Sequence, residues 1–579
     1  MKLVLAAALA GAPLTVAMQN KMEPAINSKI PKNWKNSGAV NPTEQLTLNI
    51  ALKHSAASIS NLEAALLSVS TPASQDYGRH LSREDIMSLL DLPAATTKKV
   101  VDYFSEYGNC TTNSYGDIIS LEIHASSAET VFHTQLSFFT HTDSSKSIIR
   151  STEPYFLDAS ISQFVNLVDG FHRFPTVRAS VINELTPSSS ASDSEFNSCS
   201  NVGEVDGCKD LTTPDVVRKA YSIPSFSSGN FSLNEQSRMA VAEFQNVMYN
   251  PTDLELFSQG CKVSPEVQTA ADIGPDKNDP QVCIESAYSC VEAALDIEYI
   301  KAVAPEIPLD VWYSDDYDLL AYITSINDDP TPAPVHSVSY GNDEIEQVSE
   351  EFMQSVNVEF MKAGVRGVSI LVASGDQGVW GRSGCKEKKF HPDFPASSPY
   401  VTAVGGTDFV APGKIGEEKS WDDSGGGFSD VFEIPEWQAA AVAGYKEIAK
   451  VLPSADVYSD TGRGYPDISA LAGNVNAYCV ANGGRFFGIG GTSAATPVIA
   501  GIIALLNNER LNAGGAVLGF LNPWLYSEAN RESFNDVVVG SNGGEGCFYK
   551  DAAGFTCEIG WDPATGLGTP NYDKLLAAL

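Results

Sequence analysis

The sequence predicts an α/β protein, a mostly parallel sheet flanked by helices, preceded by a smaller domain of mixed α+β character. Three observations lead there. From Thr213 onward, apolar runs of strand length alternate with helical segments, the pattern of a sheet whose crossovers are helices. Before residue 185 the strand-like runs are short and alternate apolar with polar, as "IISLEIHA" (118–125) does. Between the two lies "ELTPSSSASDSEFNSCS" (184–200), a polar serine-rich break. The length agrees: 579 residues are too many for one compact core.

In chain order, "MKLVLAAALAGAPLTVA" carries a lysine, a short apolar core and small residues near Ala17, and reads as a secretory signal peptide over 1–17. No later apolar run reaches the 18 residues that a membrane span needs, so no membrane partner is expected. Residues 18–185 form the α+β domain, in which "LEAALLSVSTPASQDYGRHLSREDIMSLL" (62–90) holds two amphipathic stretches around a turn. Residues 186–200 are the linker, a polar stretch open to cleavage. In residues 201–579, "RMAVAEF" (238–244), "LDVWYS" (309–314), "PVHSVSYG" (334–341), "GVSILVASGD" (367–376) and "YVTAVGG" (400–406) predict buried strands. "VEAALDIEYIKAVA" (291–304) and "EEFMQSVNVEFMKAG" (350–364) predict helices between them.

Hydrophobic residues make up 43% and charged residues 19%, a globular composition. The net charge of −35 is unevenly placed. Residues 1–195 carry 14 Lys+Arg against 19 Asp+Glu, and the remainder carries 23 against 53. Such a domain repels nucleic acid and, at neutral pH, itself. Protonating carboxylates at low pH relieves that repulsion, although charge alone is equally well read as solubility. The ten cysteines match no zinc spacing, with Cys283 and Cys290 seven apart and Cys547 and Cys557 ten apart; disulfides are the better reading. Asn109-Cys110-Thr111 and Asn230-Phe231-Ser232 are N-glycosylation sequons.

The stretch "GIGGTSAATP" (488–497) runs into the apolar "VIAGIIALL". It mounts Ser493 on a loop at the start of a helix, as a nucleophile is mounted. A serine hydroxyl needs a base, ordinarily histidine. Six of the eight histidines precede the linker. His336 sits inside an apolar strand pattern, as a core histidine does, and His391 sits in the proline-bounded loop "KKFHPDFPASSP". Carboxylates remain, because burial and a neighbouring acid can raise a carboxyl pKa into a useful range. Glu292 and Asp296 stand at i and i+4 on one helix face amid Val291, Ala293, Ala294, Leu295 and Ile297. Chance alone produces roughly nine such pairs in a chain this acidic, so the apolar surround carries the argument. Asp376 directly follows an apolar run, which puts it at the carboxyl end of a parallel strand, where open sheets bind ligands. It reads either as a turn-capping residue of Ser-Gly-Asp or, protonated, as a hydrogen-bond donor to a tetrahedral intermediate.

These residues together resemble the sedolisins, the serine-carboxyl peptidases that include lysosomal and fungal tripeptidyl peptidases. The resemblance runs through "SQDYGRHLSREDI", "TTPDVVRKAYSIP", "EAALD", "SVSYGNDE", "VASGDQG", "FPASSPYVTAVGGT", "SGGGFS", "GRGYPDISA", "GGTSAATP", "FNDVVVG" and "GWDPATGLGTPNY". "GTSAATP" alone also resembles subtilisins; the ordered set is specific to the sedolisins. The resemblance implies Ser493 as nucleophile, Glu292 as general base, Asp296 as the acid that tunes it and Asp376 as the oxyanion-stabilising acid. It implies a subtilisin-like catalytic sheet behind a ferredoxin-like propeptide that acts as an intramolecular inhibitor. It implies one structural calcium ion held by the carboxylates of Asp536 and Asp562 and the backbone oxygens of Val537, Glu558 and Gly560, mixed oxygen ligands of the kind calcium prefers. By residue chemistry alone Asp536 and Asp562 would be surface acids. Val216 and Val217 stand where several fungal members carry a cysteine. Cys385, Cys547 and Cys557 fall where the family often places disulfides; Cys110 sits in the pro-region and nine others follow, so one cysteine is either free or cross-paired.

The expected protein is a secreted, extracellular, acid-active monomeric peptidase, made as a zymogen and releasing tripeptides from the free N-terminus of polypeptides. An acid endopeptidase of the same family is the alternative. A neutral enzyme with a histidine base, and an inactive relative that only binds peptides, are the readings from further afield.

Overall fold

The computed structural model describes residues 19–26, 30–31, 33–142, 146–175, 194–196, 198–224, 231–473, 475–544 and 554–579. The expected signal peptide, most of the linker, Asn230 and Cys547 lie outside them. The chain divides into two compact units.

The first unit comprises Met1–Lys53, Pro93–Thr112 and Gly116–His172. Its sheet holds β1 (Gln45–Leu52), β2 (Gly108–Thr112), β3 (Ile118–His124) and β4 (Val165–Asp169) in the antiparallel order β2-β3-β1-β4. That order is the ferredoxin-like one. The alternation read in the sequence is the reason for it: Leu48 and Ile50 of β1 and Ile119, Leu121 and Ile123 of β3 point to one buried face. The connection from β1 to β2 carries α1 (Ala56–Ser70), α2 (Arg83–Leu90) and α3 (Ala94–Phe104), and α4 (Ala125–Val131) follows β3. In its core Phe104 stacks on Phe132 and Phe171 meets Phe132 edge-on, with centroids 5.5 and 4.9 Å apart.

The second unit comprises His54–Leu92, Asn113–Tyr115 and Arg173–Leu579, and so includes α1 and α2. A capping box between Ser82 and Asp85 starts α2. Leu62, Leu66, Ile86 and Leu90 of these two helices are buried with Val358, Met361, Val365 and Phe520. The sheet of this unit contains β5 (Met239–Phe244), β6 (Ala271–Ile273), β7 (Leu309–Ser314), β8 (Val335–Val338), β9 (Ser369–Ala373), β10 (Thr402–Phe409), β11 (Glu418–Ser420) and β12 (Ile468–Leu471). Its order is β6-β7-β5-β8-β9-β10-β11, with β12 beside β10. All pairs are parallel except β10 with β11. Every residue of β5, β8, β9 and β10 is buried, as a sheet covered on both faces requires. The crossovers include α5 (Val291–Val303), α6 (Leu319–Asp328) and α7 (Glu350–Val365). The hairpin β13 (Tyr478–Asn482) and β14 (Arg485–Ile489) leads into α8 (Thr492–Asn512).

Two helices matter for the site. All thirteen residues of α5 are buried, as are residues 492–508 of α8. They pack against each other at Gly501, where an added Cβ would lie 2.8 Å from Val303 and 3.0 Å from the Ile300 carbonyl oxygen. They also run the same way. Asn508, late in α8, accepts from Ser237 just before β5, and Lys301, late in α5, donates to the Ile307 carbonyl just before β7. The ends of both helices therefore lie at the start of the strands, and their beginnings lie at the carboxyl edge of the sheet.

Disulfides join Cys199–Cys261, Cys208–Cys479 and Cys283–Cys290, and Cys385 is also disulfide-bonded. The expectation that Cys557 is paired is corrected: it is a free, buried thiol, with its pKa pushed up by burial and by Asp562. Cys110 is free as well. Among the described residues no helix is long and apolar enough to cross a membrane.

Candidate active site

Strand β9 delivers Asp376. The chain leaves the sheet at Ala373 and turns at Gly375, whose φ of +105° favours glycine. Asp376 Oδ1 then accepts two hydrogen bonds from Thr492, from its amide at 2.7 Å and from its hydroxyl at 2.8 Å. Gly491, at φ +151°, lets the carboxyl approach: a Cβ there would sit 3.2 Å from Asp376 Oδ2. Thr492 opens α8 and Ser493 is its second residue, 4% exposed. The strand-end acid and the serine helix are thus locked together through the residue that precedes the serine.

Glu292 and Asp296 enter from α5. Asp296 is fully buried and Glu292 is 8% exposed, so Glu292 is the outer member of the pair. Ser339 donates to Asp296 Oδ1 at 3.0 Å. Ser339 directly follows β8, the neighbour of β9. Both acid groups are therefore anchored at the ends of adjacent parallel strands, the edge where ligands of such sheets bind. The helices supply the level. From the Gly501–Ile300 contact, Ser493 and Glu292 are each eight residues toward the helix start, about 12 Å along parallel axes. Sequence neighbours on two elements become neighbours in height above the sheet.

The two histidines that follow the linker, His336 and His391, lie apart from that arrangement in character. His336 is 1% exposed inside β8, its Nδ1 shares a hydrogen bond with the Tyr322 hydroxyl at 3.1 Å, and burial pushes its pKa down to about 3. It is a neutral core residue, as its strand pattern predicts. His391 is buried, with its amide bonded to the Val379 carbonyl.

Sequence reading missed a second group of acids. Asp343 accepts from the amides of Arg382 and Ser383, and so holds the loop that follows Asp376. Glu344 accepts from the Ser429 hydroxyl and the Asp430 amide, and burial pushes it up to about 7. Glu298, buried in α5, accepts from the Ala481 amide in the hairpin that leads to Ser493; burial raises its pKa well above the ordinary range. The available signal was "YGNDE", acids placed directly after an apolar strand, as Asp376 is.

The expected calcium residues cluster. Asp562 is fully buried; it accepts from the amides of Glu558, Ala564 and Thr565, and burial pushes it up to about 7. Asp536 lies at the surface and accepts from the Gly560 amide at 2.9 Å. Lys450 pairs with the Glu558 side chain, which leaves its backbone oxygen as the ligand atom it can offer. Among the described residues the carbonyl oxygens of Val537, Glu558 and Gly560 accept no hydrogen bond. A buried carboxylate, a second carboxylate and three open carbonyls form a donor set suited to calcium.

Residues 32–174 match the pro-kumamolisin activation domain, and residues 307–522 match the subtilase family. The chain is 34% identical to tripeptidyl-peptidase 1 of Mus musculus over 575 residues, 96% of this chain and 95% of that one. With tripeptidyl-peptidase 1 of Homo sapiens it shares 33% identity over 578 residues, again 96% and 95%. Among solved structures, a Pseudomonas sedolisin (serine-carboxyl proteinase) complexed with pseudo-iodotyrostatin covers 63% of this chain and 96% of its own, at 24% identity and a TM-score of 0.49.

Proposed function

The chain belongs to the sedolisin family, and on that premise we propose that it is an acid-active serine-carboxyl peptidase that releases tripeptides from the free N-terminus of polypeptides. The observation that carries the reaction type is the bond between Asp376 and Thr492, which seats a carboxyl group beside the start of the Ser493 helix. The tripeptidyl reading is supported by the relatives named tripeptidyl-peptidase 1.

In this reading Ser493 Oγ attacks the scissile carbonyl carbon while Glu292 takes its proton. Asp296, buried behind Glu292 on the same helix, stays hydrogen-bonded to Ser339 and is the acid proposed to hold and tune the base. As the carbonyl becomes an oxyanion, Asp376 donates to it. Both Thr492 bonds fall on Oδ1, which leaves Oδ2 to carry the donated proton. The start of α8 adds a favourable dipole. Glu292 then returns its proton to the leaving amine. Attack of water on the acyl-serine repeats the cycle and frees Ser493. In this reading the Asp376 carboxyl supplies a hydrogen and Glu292 a lone pair, and the activity proposed is an acidic one.

We assign residues 1–17 to the signal peptide, 18–185 to the inhibitory propeptide, 186–200 to processing and 201–579 to the mature, secreted, monomeric enzyme. The disulfides agree with an oxidising route. One calcium ion held by Asp536, Asp562 and the oxygens of Val537, Glu558 and Gly560 would neutralise the buried Asp562 and fix the C-terminal loops.

The test compares peptides with free and blocked amino termini across pH. Tripeptide release from the free-amine peptide near pH 4–5, abolished by Ser493→Ala and strongly reduced by Glu292→Gln, is expected. Cleavage of the blocked peptide alone would make the enzyme an endopeptidase. An optimum near pH 8 would favour a histidine base, and turnover unchanged in Ser493→Ala would leave peptide binding as the function.

A further inference from the structure

After α1, residues 71–82 of the pro-segment cross the catalytic unit and dock side chain by side chain. The Arg510 guanidinium lies 5.1 Å from the centre of the Tyr77 ring. The His80 imidazole lies over Gly367 and Gly519, where an added Cβ would sit 2.7 Å from ring atoms, and both glycines have positive φ. His80 Nε2 meets the Val517 carbonyl at 2.9 Å, and the Leu81 amide donates to the Val365 carbonyl at 2.9 Å. A carbonyl only accepts, so Nε2 carries the hydrogen and Nδ1 is the bare nitrogen. Nδ1 is buried and has no hydrogen-bond partner.

The charges around this ring come from every element packed on it. Arg510 belongs to α8, Arg366 follows α7, and Arg83 and Glu84 lie in α2. Glu235 and Arg238, ahead of β5, line the same cavity of about 940 Å³. Arg83 and Arg366 spend their charge on carbonyls of the 326–329 turn, and Arg238 on Asp310. Of these charges Arg510 acts on the imidazole, and among the described residues no acceptor meets Nδ1.

We propose that His80 is an acid-released latch: neutral, it seats the pro-segment on the Gly367–Gly519 cradle, and protonation at Nδ1 expels it. Protonation would bury an N–H without an acceptor beside the Arg510 charge, a cost the free segment does not bear. Burial, reinforced by Arg510, lowers the pKa of the docked imidazole, although the bond to the Val517 carbonyl opposes this. The sign follows. Docking has full strength above about pH 6.5, the value of a free histidine, and weakens by up to about tenfold per unit below it, until the docked pKa is reached. The latch would couple exposure of the cleft to the acidity in which the enzyme works; that consequence rests on the reading that residues up to about 185 inhibit and are removed.

Full-length protein carrying Ser493→Ala, which cannot process itself, separates the latch from the peptidase reading. Amide hydrogen exchange around Leu81, corrected for intrinsic pH dependence, should lose protection about tenfold or more between pH 7 and pH 5, while β5 stays protected. With His80→Gln in the same background the protection should not change with pH. His80→Phe, which keeps the ring, serves if the Gln variant is already unprotected at pH 7.5. An equal fall in both the His80 protein and the non-titrating variant overturns the latch, whether or not the chain proves to be a peptidase. In the active chain, His80→Gln should move the onset of maturation about one pH unit lower.

Discussion

In the proposed mechanism Asp376 has two oxygens with separate duties, and substitution distinguishes them. Asp376→Ala removes both the tie to Thr492 and the oxyanion donor; kcat should fall about 100- to 1000-fold with KM little changed. Asp376→Asn keeps an acceptor for Thr492 and a donor for the oxyanion at every pH. It should retain much more of kcat than Asp376→Ala does. A kcat of Asp376→Ala equal to wild type would remove Asp376 from the mechanism. Ser493 and Asp376 were legible in the sequence because each is announced by its own loop and the apolar run beside it. That the two are tied through Thr492 was not, because 116 residues separate the partners. The same holds for Ser339 and Asp296, which sit on different elements.

At the scale of elements, the α5–α8 contact sets the height of Glu292 relative to Ser493. Gly501 permits that contact. Gly501→Leu would drive a side chain into Val303 and Ile300 and should cost about 1–3 kcal/mol by overpacking. Catalysis should suffer more than stability, since a displacement of about 1 Å between reacting groups can cost about 100-fold. Thermal unfolding and kcat measured on one preparation check both expectations, and Val303→Ala should restore part of each. The C-terminal loops offer a second test. Calcium chelation should lower Tm by several degrees, and Asp562→Ala should abolish the difference between chelated and calcium-loaded protein. A Tm indifferent to calcium in the unsubstituted protein would remove the ion from this fold.

For the whole molecule, acidity is a matter of stability as well as mechanism. Glu344 and Glu418 are buried and pushed up to about 7. In the unfolded chain each would titrate near 4.3. Between about 4.3 and 7 the folded protein therefore holds protons that the unfolded chain has lost, and stability falls as pH rises through that window. A net charge of −35 adds self-repulsion of the same sign. The apparent Tm should be highest near pH 4–5 and decline by several degrees toward pH 7.5. Glu418→Gln, which keeps an acceptor for Thr569, should flatten part of that slope.

The sequence by itself determined the class of fold, the serine mount and the acid pair on one helix. Those features are written in local periodicity and in loops whose residues are neighbours in the chain. Only the tertiary structure decided which acids share an edge of the sheet, that Cys557 stands free and that His80 rests in a cradle of two glycines. Desolvation and hydrogen bonding set those properties, and both depend on atoms brought together from hundreds of residues apart.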